Sequence, residues 1–150
     1  MKNKVLAALG FVALLFVAAM AEVISKEFWK SAFSPSSHQI EEKLIEGFRK
    51  GAEQANRQGS IMVDEGTRLD RTEVGPGAHV TYLYSLPNDS SRNLDLVWLQ
   101  ANLKQQVKQG VCASKEMKPS LRYGATYAYA YSDKDGVGIV RFELNKNDCP

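Results

Sequence analysis

The chain has 150 residues, and its 19 basic and 17 acidic side chains give a formal charge of +2 at neutral pH. The first 21 residues hold two lysines and no acid, which leaves 17 bases and 17 acids for the remainder. A neutral domain without a basic patch has no field that draws it onto a phosphate backbone, so this composition argues against nucleic acid as a partner. Residues 36–150, about 115 in number, are enough for one compact domain but not for two.

The N-terminus carries Lys2 and Lys4, followed by an unbroken apolar run over residues 5–21. This pattern is typical of an export signal and predicts a bacterial envelope protein whose later residues lie outside the cytoplasm. Two interpretations remain open. Cleavage after residues 19–21 (Ala-Met-Ala) would release a soluble periplasmic protein. Retention of the run, which is just long enough to span a bilayer, would give a single-pass inner-membrane protein anchored through residues 5–21.

Residues 22–35 are predicted to form a membrane-proximal helix or linker. Apolar side chains continue through them with Lys26 and Lys30 in between, and Trp29 beside lysine is typical of an anchor at the membrane interface. In both interpretations the positive-inside rule keeps the N-terminus in the cytoplasm, so residues 36–150 are predicted to form a periplasmic domain. No cysteine stands directly after the apolar run, which excludes the lipid anchor of bacterial lipoproteins.

A helix of about 20 residues is predicted to open this domain. Ser36 followed by Gln39 is a capping-box pattern, and apolar residues then recur at helical spacing up to Gly59, where we expect the helix to end. Two short strands are predicted next, at residues 61–63 and 67–74.

A tight reversal and a third strand follow. The Gly-Pro-Gly sequence of residues 75–77 predicts the reversal. Apolar and polar side chains then alternate over residues 79–86, which predicts a strand that places four apolar side chains on one face, namely Val80, Tyr82, Tyr84 and Leu86.

The second half of the domain repeats this plan. A stripe of leucines and a valine predicts a helix from Leu96, with Gly110 at its C-cap, and residues 114–121 predict a second, shorter helix. Residues 125–132 and 137–144 then predict a hairpin around an Asp-Lys-Asp-Gly turn.

Together these elements predict an α+β fold. Two hairpins joined through a helix indicate a two-layer sandwich, an antiparallel sheet of about four to five strands with helices on one face. An N-terminal hydrophobic helix is predicted to precede this sandwich.

Cys112 and Cys149 are the two cysteines of the chain. In an oxidising compartment an even number of cysteines favours a disulfide, here joining the C-terminal end to the segment after a central helix. Closing a loop of roughly 37 residues would stabilise the fold by about 3–4 kcal/mol on the chain-entropy model. A metal pair would need more ligands, and a cysteine nucleophile would need a nearby base.

Five tyrosines lie on predicted strands and allow two interpretations. Alternation places those of one strand on a single face, where they could bind a glycan, a small ligand or an extended peptide. The alternative, which the sequence favours, is that they pack beneath the helices as core. The residues are Tyr82, Tyr84, Tyr127, Tyr129 and Tyr131.

Evidence for catalysis is weak. Asp64, Glu65 and Asp70 could serve as paired carboxylates of a hydrolase, but turn formation and surface ion pairs explain them better. The chain has no glycine-rich phosphate loop, no G-x-S-x-G and no H-E-x-x-H motif, and its two histidines are too few for a zinc site. We therefore expect no cofactor, no metal and no enzymatic activity.

The domain resembles a group of small bacterial proteins that are exported or anchored in the membrane. The resemblance covers roughly residues 38–144 and rests on four segments of this chain: residues 61–70, residues 74–77, residues 82–84, and residues 112–133 with their spaced Cys, Met, Gly and Tyr-Ala-Tyr. It implies a periplasmic domain and no particular activity. In general plan the domain is also similar to the pilotins of type II secretion, which are small disulfide-bonded α+β proteins, although this chain lacks their lipidated cysteine.

The sequence thus favours a non-enzymatic protein of the cell envelope that acts through contact with another envelope protein. A ligand-binding module that uses the tyrosine face is the second hypothesis, and a hydrolase that uses the three carboxylates is the third.

Overall fold

The computed structural model describes residues 36–149. The predicted signal or anchor at residues 5–21 and the segment at residues 22–35 lie outside these described residues, and within residues 36–149 there is no helix with the length and apolarity to cross a membrane. The elements in chain order are α1 (Ser37–Arg57), β1 (Ile61–Met62), β2 (Arg68–Val74), β3 (His79–Ser85), α2 (Leu96–Ala113), α3 (Met117–Arg122), β4 (Thr126–Ser132) and β5 (Gly138–Leu144).

Helix α1 begins with the predicted capping box. The backbone N–H of Gln39 donates to Ser36 Oγ at 3.3 Å, and the backbone N–H of Ser36 donates to Gln39 Oε1 at 3.0 Å. The helix ends at Arg57, and Gly59 then turns the chain toward β1 with a φ of +75°. Leu44, Phe48 and Ala52 lie on its buried face and pack it onto the sheet.

The five strands lie in the order β1-β2-β3-β4-β5. The pairs β1–β2, β2–β3 and β4–β5 are antiparallel, as predicted, but β3 and β4 are parallel. The prediction of a wholly antiparallel sheet is therefore wrong at its central pair. An 18-residue helix is about 27 Å long, and a seven-residue strand is about 23 Å long. Helix α2 is therefore long enough to return the chain to the end at which β3 began, which allows β4 to run in the same direction as β3.

Helix α2 also continues past its predicted end. Gly110 lies inside the helix, which ends at Ala113, and the backbone N–H of Ser114 donates to the carbonyl of Gly110 at 3.0 Å. Val111 is 3% exposed and extends the buried stripe of the helix by one more turn. Burying a valine contributes about 1.5 kcal/mol or more, which offsets the roughly 1 kcal/mol that glycine costs within a helix.

All three helices lie on one face of the sheet. Phe48 of α1 meets the ring of Tyr127 at 5.7 Å between centroids, and Ser120 of α3 is hydrogen-bonded to the hydroxyl of the same tyrosine. The buried stripe of α2 belongs to the same hydrophobic cluster. The predicted two-layer arrangement of an α+β domain is thus confirmed for the described residues.

The opposite face of the sheet carries no helix among the described residues. The strand registers place uncharged side chains in the middle of this open face, Thr81 and Ala128 in one row and Leu83 and Ala130 in the next. Exposed charged side chains flank both rows on the outer strands, and these residues are Arg71, Glu73, Arg141 and Glu143.

Candidate functional site

The five strand tyrosines form a stacked cluster inside the molecule. Their exposed fractions lie between 1% and 4%. The ring centroids of Tyr84 and Tyr131 are 5.0 Å apart, those of Tyr82 and Tyr129 are 5.4 Å apart, and Phe142 extends the stack at 5.4 Å from Tyr129. The helices cover this face, which confirms the core interpretation and contradicts the hypothesis of an exposed ligand face formed by Tyr82, Tyr84, Tyr127, Tyr129 and Tyr131.

Burial changes the ionisation of these tyrosines. It raises the pKa of Tyr127 to about 12, although the hydrogen bond between Tyr127 and Ser120 (2.7 Å) acts in the opposite direction. Burial also raises the pKa of each of the other four tyrosines from the ordinary value of 10.0. All five phenols are therefore neutral at physiological pH and serve as core rather than as acids or nucleophiles.

The three carboxylates of the hydrolase hypothesis do not meet. Asp70 Oδ1 accepts from Arg68 Nε at 2.6 Å and from Ser85 Oγ at 3.2 Å, on the open face. Asp64 Oδ1 accepts from the backbone N–H of Gly66 at 2.7 Å and so shapes a turn.

Asp64 and Asp70 have different partners, because Asp64 binds within its own turn whereas Asp70 binds Arg68 and Ser85. Within residues 36–149 no three acidic side chains form a group that could share a metal ion. Glu65 is exposed. The structure thus contradicts the convergence of Asp64, Glu65 and Asp70 in one pocket.

Asp133 organises the turn between β4 and β5. Its Oδ1 accepts from the backbone N–H groups of Asp135 and Val137, and its Oδ2 accepts from that of Ser91, each at 2.9 Å. These bonds, that of Ser91 first, lower the pKa of Asp133 to about 2. The carboxylate therefore ties the hairpin to the segment before α2. Within residues 36–149 no cluster of three or more metal-binding side chains occurs.

Cys112 and Cys149 form the predicted disulfide. Their Cα atoms are 5.2 Å apart, and the bond closes a separation of 37 residues. A turn after β5 directs Cys149 toward α2, because Asn145 donates its backbone N–H to Asp148 Oδ2 at 2.9 Å. The disulfide therefore fixes the C-terminal segment to the last turn of α2.

A groove between α1 and the outer side of β2 was not predicted. It has a volume of about 570 Å³, with Ala52 and Val74 contributing apolar surface. Arg49 is exposed on its rim, and Arg57 is paired with Glu53 at 2.6 Å. The residues that line the groove are Arg49, Ala52, Glu53, Asn56, Arg57, Thr72 and Val74.

Two of the lining residues, Asn56 and Thr72, are joined by a pair of hydrogen bonds, which we call the clip. Asn56 Nδ2 donates to the carbonyl of Thr72, and the backbone N–H of Thr72 donates to Asn56 Oδ1, both at 2.8 Å. The amide thus replaces the backbone of a neighbouring strand. In the sequence Asn56 is one of several polar residues on the surface of a helix. No pattern of neighbouring residues distinguishes it, so the sequence could not predict either the clip or the groove.

No protein-family model matches this chain, and the comparison with curated proteins found no relative. Solved structures do match. A candidate secreted protein of Pseudomonas aeruginosa has a TM-score of 0.60 at 16% identity, over 74% of this chain and 96% of that protein.

Two pilotins are also similar. The type II secretion system pilotin AspS of Vibrio cholerae has a TM-score of 0.58 at 14% identity, over 77% of this chain and 100% of AspS. The type 2 secretion system pilotin EpsS of Vibrio vulnificus has a TM-score of 0.61 at 13% identity, over 75% of this chain and 97% of EpsS.

The TM-scores establish a shared fold, and identities this low establish nothing finer. The predicted similarity in plan to pilotins is confirmed at that level, while the resemblance to small exported bacterial proteins stays a prediction. The described domain has the fold that these secretion-related and secreted proteins also have.

Proposed function

We propose that this protein is a non-enzymatic component of the bacterial envelope that binds another protein, in the manner of a type II secretion pilotin. The observation that carries the proposal is the likeness of fold to two pilotins, which extends over at least 97% of each of them. The export pattern of residues 1–21 and the disulfide agree with a periplasmic location, because disulfides persist in that oxidising compartment.

The groove beside α1 is the surface we assign to this contact. It is open and partly apolar, and its shape suits a segment of a partner chain rather than a small molecule held on all sides. Arg49 supplies a cation at its rim that has no ion-pair partner among residues 36–149. An apolar segment that carries a carboxylate would satisfy both features.

Site-specific crosslinking in living cells tests this assignment. A photo-crosslinking amino acid placed at Arg49 is expected to capture a component of the type II secretion system, identified by mass spectrometry. The matched control is the same amino acid at Lys104, an exposed position on α2. Equal capture of the same component from both positions would contradict the groove, and no captured secretion component from either would contradict the proposed process.

A secretion assay tests the process independently of the groove. Deletion of the gene is expected to reduce the export of type II substrates, and the intact gene is expected to restore it. Arg49→Glu should lower the complementation, whereas Lys104→Glu should not. Normal export in the deletion strain would refute the pilotin-like role.

A further inference from the structure

The two outer strands of the sheet carry the same short pattern. Residues 71–73 of β2 are Arg-Thr-Glu, and residues 141–143 of β5 are Arg-Phe-Glu. In both strands the arginine and the glutamate are exposed and lie on the open face. The environments of the two patterns differ.

On β2 all three residues of the pattern have partners within the chain. Asn56 binds both the N–H and the carbonyl of the central residue, Thr72. Arg71 Nη2 binds Glu73 Oε1 at 2.6 Å. The backbone of Thr72 and the two charges therefore already have partners within the chain.

On β5 the pattern is open. Among residues 36–149, β4 pairs with the inner side of Gly138–Leu144, and no backbone hydrogen bond from another segment reaches its outer side. Within the same described part, Arg141 has no ion-pair partner, and Glu143 has the imidazole of His79 at 3.7 Å. An unpaired edge of this kind is a template for a further strand.

The open pattern is complementary to itself. When two β5 strands pair antiparallel about a two-fold axis at Phe142, Arg141 lies opposite Glu143 of the partner subunit, and the reverse pair forms by symmetry. Opposite charges that face each other across strands stabilise the pair, and like charges destabilise it. An axis at residue 141 or at residue 143 would instead oppose two arginines or two glutamates, so the charges select one register.

We infer that a second copy of this chain occupies the outer edge of β5, so that two sheets join into one continuous sheet with two-fold symmetry. β3 and β4 separate β5 from β2, so pairing at β5 leaves the groove of each copy free. The dimer and the proposed protein contact are therefore independent.

Sedimentation equilibrium of the full chain tests the dimer. The protein is purified from the periplasm or, where it fractionates with membranes, in detergent, and is measured from about 1 to 500 µM because small interfaces bind weakly. We expect the unaltered chain to dimerise. Arg141→Glu and Glu143→Arg are each expected to weaken dimerisation at least about tenfold, since each turns two attractive pairs into two repulsive ones.

The double reversal and a matched control complete the test. The chain that carries both R141E and E143R restores the opposite charges and is expected to dimerise within about threefold of the unaltered chain. Arg71→Glu alters the same residue type on the same face and should leave dimerisation unchanged. Far-UV circular dichroism verifies that each variant is folded.

Three outcomes would overturn the inference. They are a monomer at every concentration, an effect of Arg141→Glu no larger than that of Arg71→Glu, and a double reversal that does not recover. A strand from another protein at this edge would give the first of these results, together with capture of that protein by a crosslinker at residue 141.

Discussion

The two faces of the sheet differ in the burial and in the chemistry of their side chains. The covered face holds five tyrosines and Phe142 in one stack, with none of these residues more than 6% exposed. The open face has uncharged side chains in its middle and exposed Arg and Glu at both margins. One face therefore supplies the stability, and the other is available for contacts.

This difference explains why tyrosine is abundant without forming a site. An aromatic ring buries a large apolar area with few rotatable bonds, and stacked pairs add about 0.5–1.5 kcal/mol beyond burial. A buried hydroxyl costs free energy unless it is hydrogen-bonded. Tyr127 is bonded to Ser120, whose own hydroxyl donates to the carbonyl of Met117 at 2.6 Å, whereas the buried hydroxyl of Tyr84 has no partner among residues 36–149.

The largest expected effect is unfolding of the protein at alkaline pH, caused by ionisation of the tyrosines on the covered face. The pKa of all five tyrosines is raised in the folded state, so their contribution to stability is complete below the unfolded value of 10.0 and is lost as the pH rises above it. Each phenol costs up to about 1.4 kcal/mol per pH unit, so the free energy of unfolding should vanish between about pH 11 and 12.

Circular dichroism and absorbance at 295 nm measure this transition together. Tyrosine ionisation should coincide with loss of secondary structure. Ionisation of the five phenols near pH 10 in a protein that keeps its native spectrum would show that the rings are accessible.

The second largest expected effect is the loss of stability when one ring is removed from the middle of the stack. Tyr129→Ala is expected to lower the free energy of unfolding by about 3–5 kcal/mol, because it leaves a cavity between Tyr82 and Phe142. Glu73→Ala, an exposed substitution on the open face, is the control and should change stability by less than about 1 kcal/mol. Urea denaturation measures both, and similar losses would contradict the contrast between the faces.

Loss of the disulfide should loosen the layer that covers the sheet. The double variant Cys112→Ala and Cys149→Ala is expected to lose about 3–4 kcal/mol, because the unfolded chain regains the freedom of a 37-residue loop. Thermal unfolding of the oxidised, reduced and double-alanine forms measures the effect. A reduced form as stable as the oxidised one would show that the C-terminal segment is held by other contacts.

The smallest expected effect is the loss of stability when the clip between Asn56 of α1 and Thr72 of β2 is removed. Asn56→Ala leaves both backbone groups of Thr72 without their partners and should cost about 1–3 kcal/mol. Gln54→Ala, an exposed substitution on the same helix, should be nearly neutral. Equal stability of the two variants in urea denaturation would mean that water replaces the amide without cost.

Local patterns in the sequence predicted most of the elements. Ser36 and Gln39 predicted the start of α1, and alternation over residues 79–86 predicted which side chains of β3 face the helices. The glycine before β5 likewise marks the predicted turn, with a φ of +79° at Gly136. Each of these features depends on residues only a few positions apart.

Gly110 shows where such local reasoning fails. The residue is typical of a helix end, yet the core needs Val111 one position later, and the helix continues. Tertiary burial overrode a local preference of about 1 kcal/mol.

The sequence by itself determined most of the helices and strands and the buried faces of β3 and β4, because periodicity acts locally, and an even number of cysteines indicated the disulfide. The direction of β4 beside β3, the clip of Asn56 on Thr72 and the groove next to it were decided by the tertiary structure. The unpaired edge of β5 belongs with them. The first three depend on segments that are far apart in the chain, for which no periodic pattern exists, and the last depends on which strands pair.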